Sequence, residues 1–120
     1  MLGIDYLKNY LRNEGFRFEE QDTFISFKFQ GVNYIAFKND SPFLQLMIMC
    51  NTKDKSRNQC LEVCNELNSN RFVVKCTVVE SNNVWCSYEF KPSEKTSTDE
   101  FAAILGYLDK ASDELLEKLS

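Results

Sequence analysis

The chain has 120 residues, of which 43% are hydrophobic, 27% charged and 13% aromatic, with a formal net charge of −4. That length suits one domain with a buried core, and only 4 Gly and 2 Pro exclude collagenous or low-complexity structure. His is absent, which excludes Ser-His-Asp and Cys-His catalysis, His-ligated metals and imidazole pH switches.

Residues 4–14 place Ile4, Leu7, Tyr10 and Leu11 on one helical stripe, and Gly15 follows as a helix stop. The opening Met1-Leu2-Gly3-Ile4-Asp5 has no basic start followed by an apolar run, so no signal peptide is expected. Phe16 and Phe18 begin an extended stretch that ends in Glu19-Glu20-Gln21-Asp22. Thr23–Phe29 alternates, Gln30-Gly31 reads as a two-residue turn, and Val32–Asn39 alternates again. Pairing Phe29 with Val32 sets Phe27 opposite Tyr34 and Ile25 opposite Ala36, which makes one core face. Asp40-Ser41-Pro42 is a turn, and Phe43–Cys50 is a third strand with Leu44, Leu46, Ile48 and Cys50 on one side.

Residues 51–56 are polar loop. From about Ser56 the spacing becomes helical, with Cys60, Leu61, Cys64 and Leu67 on a stripe that Asn68-Ser69-Asn70 ends. Phe72–Glu80 and Val84–Lys91 form a second hairpin around Ser81-Asn82-Asn83. That loop sets Cys86 opposite Val78 and diagonal to Cys76, about 7–8 Å away and too far for an easy disulfide. Pro92 closes the strand, and Ser97-Thr98-Asp99-Glu100 is a capping box. The helix it opens carries Phe101, Ile104, Leu105, Leu108, Ala111, Leu115 and Leu119 on one face, with Glu114 and Lys118 a favourable pair on another. Gly106 inside this helix predicts the close approach of another element.

The order predicts a single α+β domain over residues 1–120. It has an antiparallel sheet of about five strands and three helices in the order α-βββ-α-ββ-α. The first and last helices are expected on the Ile25/Phe27/Leu46/Ile48 face.

The acidic balance, with a pI near 4.9, disfavours nucleic acid as a partner. Phe16-Arg17-Phe18 and Phe27-Lys28-Phe29 interleave aromatics with bases, but such alternation is that of a half-buried strand. The longest apolar runs are too short to span a bilayer, so no membrane association is expected. Cys50, Cys60, Cys64, Cys76 and Cys86 are odd in number and all lie in apolar patterns. They read as free thiols in a reducing cytoplasm. Cys60, Cys64, Cys76 and Cys86 are separated by three, eleven and nine residues, unlike the short pairs of zinc ribbons, so no metal is expected. Glu62 and Glu66 fit a solvated helix face, and without His no Cys has the usual activating base. The four glycines are isolated and cradle no phosphate. Neither catalysis nor a cofactor is expected.

In this arrangement the chain resembles the YbjN-type bacterial proteins, a family of sensory transduction regulators whose fold is similar to that of type III secretion chaperones. The residues that carry the resemblance begin with the helix closing on Gly15 and the Ile25-Ser26-Phe27…Gly31-Val32-Asn33-Tyr34 hairpin. Leu61–Asn68 running into Phe72-Val73-Val74-Lys75, and the amphipathic last helix, complete it. Asn65-x-x-Asn68 followed by Lys75 is its most distinctive piece, although Asn is also common where a helix ends. The resemblance implies a small cytoplasmic protein, dimeric, that works by binding another protein and has no catalytic residue.

The far side of the sheet is unusually apolar for a one-sided sheet. Phe24, Ile35 and Phe37 point away from the core on the first hairpin, Phe43, Met47 and Met49 on the third strand, and Trp85 on the second hairpin. The middle helix is expected to cover part of this face, leaving a remainder as an interface. Phe24, Ile35, Phe37, Met47, Met49 and Trp85 are the candidate interface residues. Two functions follow. One is a non-catalytic protein-binding or chaperone-like regulator that forms a homodimer or holds a protein client through this face. The other is a small-ligand sensor or carrier with a pocket between sheet and helices.

Overall fold

Helix α1 (Gly3–Asn13) ends as its glycine predicts. Gly15 takes φ +72°, its N–H donates to the Arg12 carbonyl, and the Phe16 N–H reaches back to Leu11 O at 2.9 Å, closing a Schellman motif. These positions belong to a computed structural model that describes residues 1–52, 54–70, 74–79 and 83–120. The expected strand start at Phe72 and the Glu80–Asn82 part of the second hairpin lie outside the described residues.

The remaining elements are β1 (Phe18–Glu20), β2 (Phe24–Phe29), β3 (Val32–Phe37), β4 (Leu44–Cys50), α2 (Arg57–Asn70), β5 (Lys75–Val78), β6 (Val84–Phe90) and α3 (Thr98–Leu119). The described residues form a six-stranded antiparallel sheet in the order β1-β2-β3-β4-β6-β5. The fold is the α+β arrangement expected, with one strand more. The extra strand is β1, three residues that pair Phe18 with Phe27 and Glu20 with Ile25.

The β2–β3 hairpin has the register read from its turn, Phe29↔Val32, Phe27↔Tyr34 and Ile25↔Ala36. Gln30 and Gly31 both take positive φ, 50° and 79°, the type I′ geometry that suits the strand twist. The β5–β6 hairpin is paired differently from the expectation. Cys76 lies opposite Cys86 and Val78 opposite Val84, and the Val79 N–H donates to Asn83 O at 2.8 Å. The register has slipped by two residues. An even slip keeps every side chain on its face, so the core pattern survives while the cysteines become direct neighbours.

The chain divides into two compact units, residues 1–46 with 89–105 and residues 47–88 with 106–120. In the first, Leu7 and Leu11 of α1, Ile25, Phe27, Tyr34, Ala36, Leu44 and Leu46 of the strands, and Phe101, Ile104 and Leu105 of α3 are buried. The Tyr34 hydroxyl donates to Leu105 O at 2.8 Å, and Tyr10 stacks on Phe101 with ring centroids 4.5 Å apart. Both helices therefore sit on the Phe27/Tyr34 side of these strands. Gly3 is where backbone crowding demands glycine. A β-carbon there would overlap the Phe43 carbonyl and come 2.9 Å from Leu44 N. Around Gly106 a β-carbon would meet nothing within 4 Å, so the close approach expected there is absent.

In the second unit Cys50, Val84, Cys76 and Cys86 of the strands, Cys60, Cys64 and Leu67 of α2, and Leu108, Ala111 and Leu115 of α3 are buried. Ser56 caps α2 with a capping box: Gln59 N–H donates to Ser56 Oγ at 3.1 Å, and Ser56 N–H donates to Gln59 Oε1 at 2.9 Å. The Ser97 hydroxyl likewise accepts from Glu100 N–H at 3.1 Å at the start of α3.

Helix α2 joins the strands at β5, and burial together with the thiols of Cys76, Cys60 and Cys50 raises the pKa of its Cys64. Asn68 in its last turn binds the backbone of Cys76 twice. Asn68 Oδ1 accepts the Cys76 N–H at 2.7 Å, and Asn68 Nδ2 donates to the Cys76 carbonyl at 2.9 Å. The side-chain amide thus stands in for a neighbouring strand. Leu61, read as part of the stripe of Cys60, Cys64 and Leu67, is 37% exposed.

Candidate functional site

The outer side chains of the strands are the candidate site, and each unit presents its own group. In the first unit Phe24 and Phe37 are directly opposed on β2 and β3. Their rings meet edge to face, with centroids 6.3 Å apart and planes at 67°, a favourable aromatic geometry. Ile35 sits opposite Ser26, and all three apolar residues are half-buried. Phe43, just before β4, is 45% exposed. Beside them an open groove of about 780 Å³ is walled by Ser26, Lys28, Asn33 and Ile35 together with Phe16 and Phe18. The Arg12 guanidinium covers the Phe18 ring at 5.7 Å, a cation–π contact.

In the second unit Met47 and Met49 share one side of β4, but their burial differs. Met47 is 5% exposed, whereas Met49 is 45% exposed. Trp85 of β6 is half-buried opposite Thr77 of β5. Met47 is thus a core residue in burial, and Met49 is the one of the pair that can meet a partner. Two further exposed apolar residues on this unit's part of α3, Tyr107 at 48% and Leu116 at 44%, escape sequence reasoning because they flank the buried stripe rather than break it.

Another feature of the second unit is its set of thiols. Cys76 and Cys86 Sγ atoms lie 3.6 Å apart, and Cys86 also shares a hydrogen bond with Cys50. Bonding to Cys50 and Cys76, with burial, raises the pKa of Cys86 far above a free thiol's, while the Cys86 hydrogen bond lowers that of Cys50. Burial, with the thiols of Cys76, Cys60 and Cys50 nearby, pushes Cys64 up to about 12. The Cys60 thiol donates to Thr52 Oγ1 at 3.5 Å. All five cysteines are free and buried, in the manner of small hydrophobic residues. Among the described residues no group of three or more Cys, Asp or Glu is placed to hold a metal ion.

A smaller cavity of about 310 Å³ lies in the first unit, where Tyr6, Tyr10 and Asn13 of α1 face Glu94, Thr96 and Phe101. Phe101 is the one phenylalanine in its wall, whereas Phe16, Phe18 and Phe27 line the larger groove. No helix among the described residues is long and apolar enough to cross a membrane.

No protein-family profile matches the chain, and no curated protein matches its sequence. Solved structures do match its fold. YbjN of E. coli, a protein proposed to regulate transcription, superposes with a TM-score of 0.64 at 16% identity, covering 95% of this chain and 89% of YbjN. An uncharacterised protein from Methanothermobacter thermautotrophicus superposes with a TM-score of 0.63 at 14% identity, covering 99% of this chain and 100% of that one. The Yersinia pestis type III secretion chaperone SycH, solved in complex with a stable fragment of YscM2, superposes with a TM-score of 0.66 at 14% identity. That match covers 92% of this chain and 97% of SycH. The chain therefore carries the YbjN-type, secretion chaperone-like fold.

Proposed function

We propose that the protein is a non-catalytic, chaperone-like binding module of the cytoplasm that engages protein through the outer side of its strands. The carrying observation is the exposure of apolar side chains on the outer side of the strands. In the first unit Phe43 is 45% exposed beside the half-buried Phe24, Ile35 and Phe37, and in the second Met49 is 45% exposed. Apolar side chains left in water favour association, and exposed Met and aromatic residues suit an adaptable protein interface. The fold shared with SycH, which was solved with a protein fragment bound, supports a protein as the partner. A homodimer is the simplest such assembly, since one patch can then serve both partners.

The test is sedimentation across a wide concentration range for the wild type, Met49→Glu and Phe37→Glu. Met49 is exposed, so the first substitution should leave circular dichroism and stability almost unchanged. Self-association of the wild type that Met49→Glu weakens at least tenfold supports the reading. A wild type that stays monomeric at every concentration, or a variant that associates as tightly, overturns it for the homodimer.

A further inference from the structure

We infer that Cys76 and Cys86 form a modification site: a dithiol built to be converted to a cross-strand disulfide by a low-molecular-weight disulfide. The two residues are directly opposed on β5 and β6, with their sulfurs already 3.6 Å apart. Their pairing type matters. The Cys76 N–H is donated to Asn68, and the Cys76 carbonyl also accepts from Asn68, so this position does not give its N–H to β6. Cys76 and Cys86 are therefore a non-hydrogen-bonded pair, in which α-carbons lie about 4.5 Å apart and side chains come closest. That spacing falls inside the window a disulfide requires. Closing the bond needs the sulfurs to approach, without a change of register.

Cys86 is wholly buried in the sheet, and Cys76 nearly so. Of the two, Cys76 is on a four-residue edge strand held on its outer side by Asn68. Short edge elements open locally at lower cost than the centre of a sheet. Such an opening presents Cys76 first. Its thiolate attacks one sulfur of the external disulfide RSSR, forming a mixed disulfide and releasing one RSH. The Cys86 thiolate then attacks the Cys76 sulfur and releases the second RSH. The two protein thiols lose two electrons and two protons, and both pairs end in the two RSH molecules. Cys50, which shares the Cys86 hydrogen bond, is the competing nucleophile. It lies on β4, outside the β5–β6 pairing.

The experiment incubates the folded wild-type protein with oxidised glutathione, alkylates remaining thiols in denaturant, and maps the digest by mass spectrometry. The expected product has two fewer titratable thiols than the five in the sequence. It carries a single Cys76–Cys86 cross-link that dithiothreitol reverses. Retention of five thiols, glutathione adducts without a cross-link, or a cross-link that includes Cys50, Cys60 or Cys64 overturns the assignment. The wild-type map decides the matter, so no variant has to survive the loss of a buried sulfur.

Discussion

Asn68→Ala should separate α2 from the strand it borders, and the size of the effect follows from two bonds. The Asn68 amide accepts the Cys76 N–H at 2.7 Å and donates to the Cys76 carbonyl at 2.9 Å, while Cys76 itself is buried. A net hydrogen bond is worth about 1 kcal/mol, and a buried group left unpaired costs about 1–3 kcal/mol. Asn68 stands at an exposed position, so water can follow the missing amide, and the lower figure applies to each bond. The substitution should therefore cost about 2 kcal/mol. With a urea m-value of roughly 1.5 kcal/mol per M for a chain of this size, the midpoint should fall by about 1.3 M. Urea titration followed by circular dichroism measures the fall. Amide hydrogen exchange locates it, because the Cys76 N–H should lose protection ahead of those at the sheet centre. A midpoint shift below about 0.3 M, with protection at Cys76 intact, would refute the idea that a side-chain amide closes this edge.

Three further outcomes follow from the same packing. Leu108 is fully buried, and Leu108→Ala should cost about 2–5 kcal/mol in transfer and cavity terms, read as a lowered denaturant midpoint. The two helical glycines should respond in opposite senses to alanine. Gly3→Ala drives a methyl group into the Phe43 carbonyl and should destabilise, whereas Gly106→Ala enters open space and should stabilise by about 0.5–1 kcal/mol, both seen as shifts in Tm. Glu20 is held at a pKa of about 2 by hydrogen bonds from Lys38 and Lys8, below its ordinary 4.5. The stability it adds is complete above the unfolded value and is lost as pH falls from about 4.5 to about 2. Glu20→Gln should flatten the pH dependence in that window, and an unchanged acid limb in thermal melts would remove Glu20 from the account.

What could be read from the sequence follows how locally each feature is determined. The first hairpin is legible because a two-residue turn and strict alternation fix register together. The second has no such turn dipeptide, so alternation assigned the faces correctly and left the pairing two residues off. That is why Cys76 and Cys86 read as diagonal yet stand opposed. The buried stripe of α3 is complete in the sequence from Phe101 to Leu119, because a long helix repeats its period enough times to be unambiguous. The docking of α2 on β5 is not legible. Its short stripe has no sidedness, and the bonds from Asn68 to Cys76 join residues across a connection. Gly3 and Gly106 were indistinguishable for the same reason: the crowding at Gly3 comes from the Phe43 backbone, far along the chain. Met47 and Met49 share a face by parity, and parity says nothing of which one is reached by water.

The two borders of the sheet are finished in different ways, and the difference bears on how another chain could join it. At β1 the border is three residues long and two of them are glutamates, one clamped between Lys8 and Lys38 at 2.7 Å to each. Short, charged borders discourage the register-free stacking of sheets that leads to fibres. At β5 the outward N–H and carbonyl of Cys76 are already occupied by Asn68. A peptide arriving there as an additional strand would first have to displace an amide from its own helix. Main-chain capture at Cys76 is thus under the control of a single side chain.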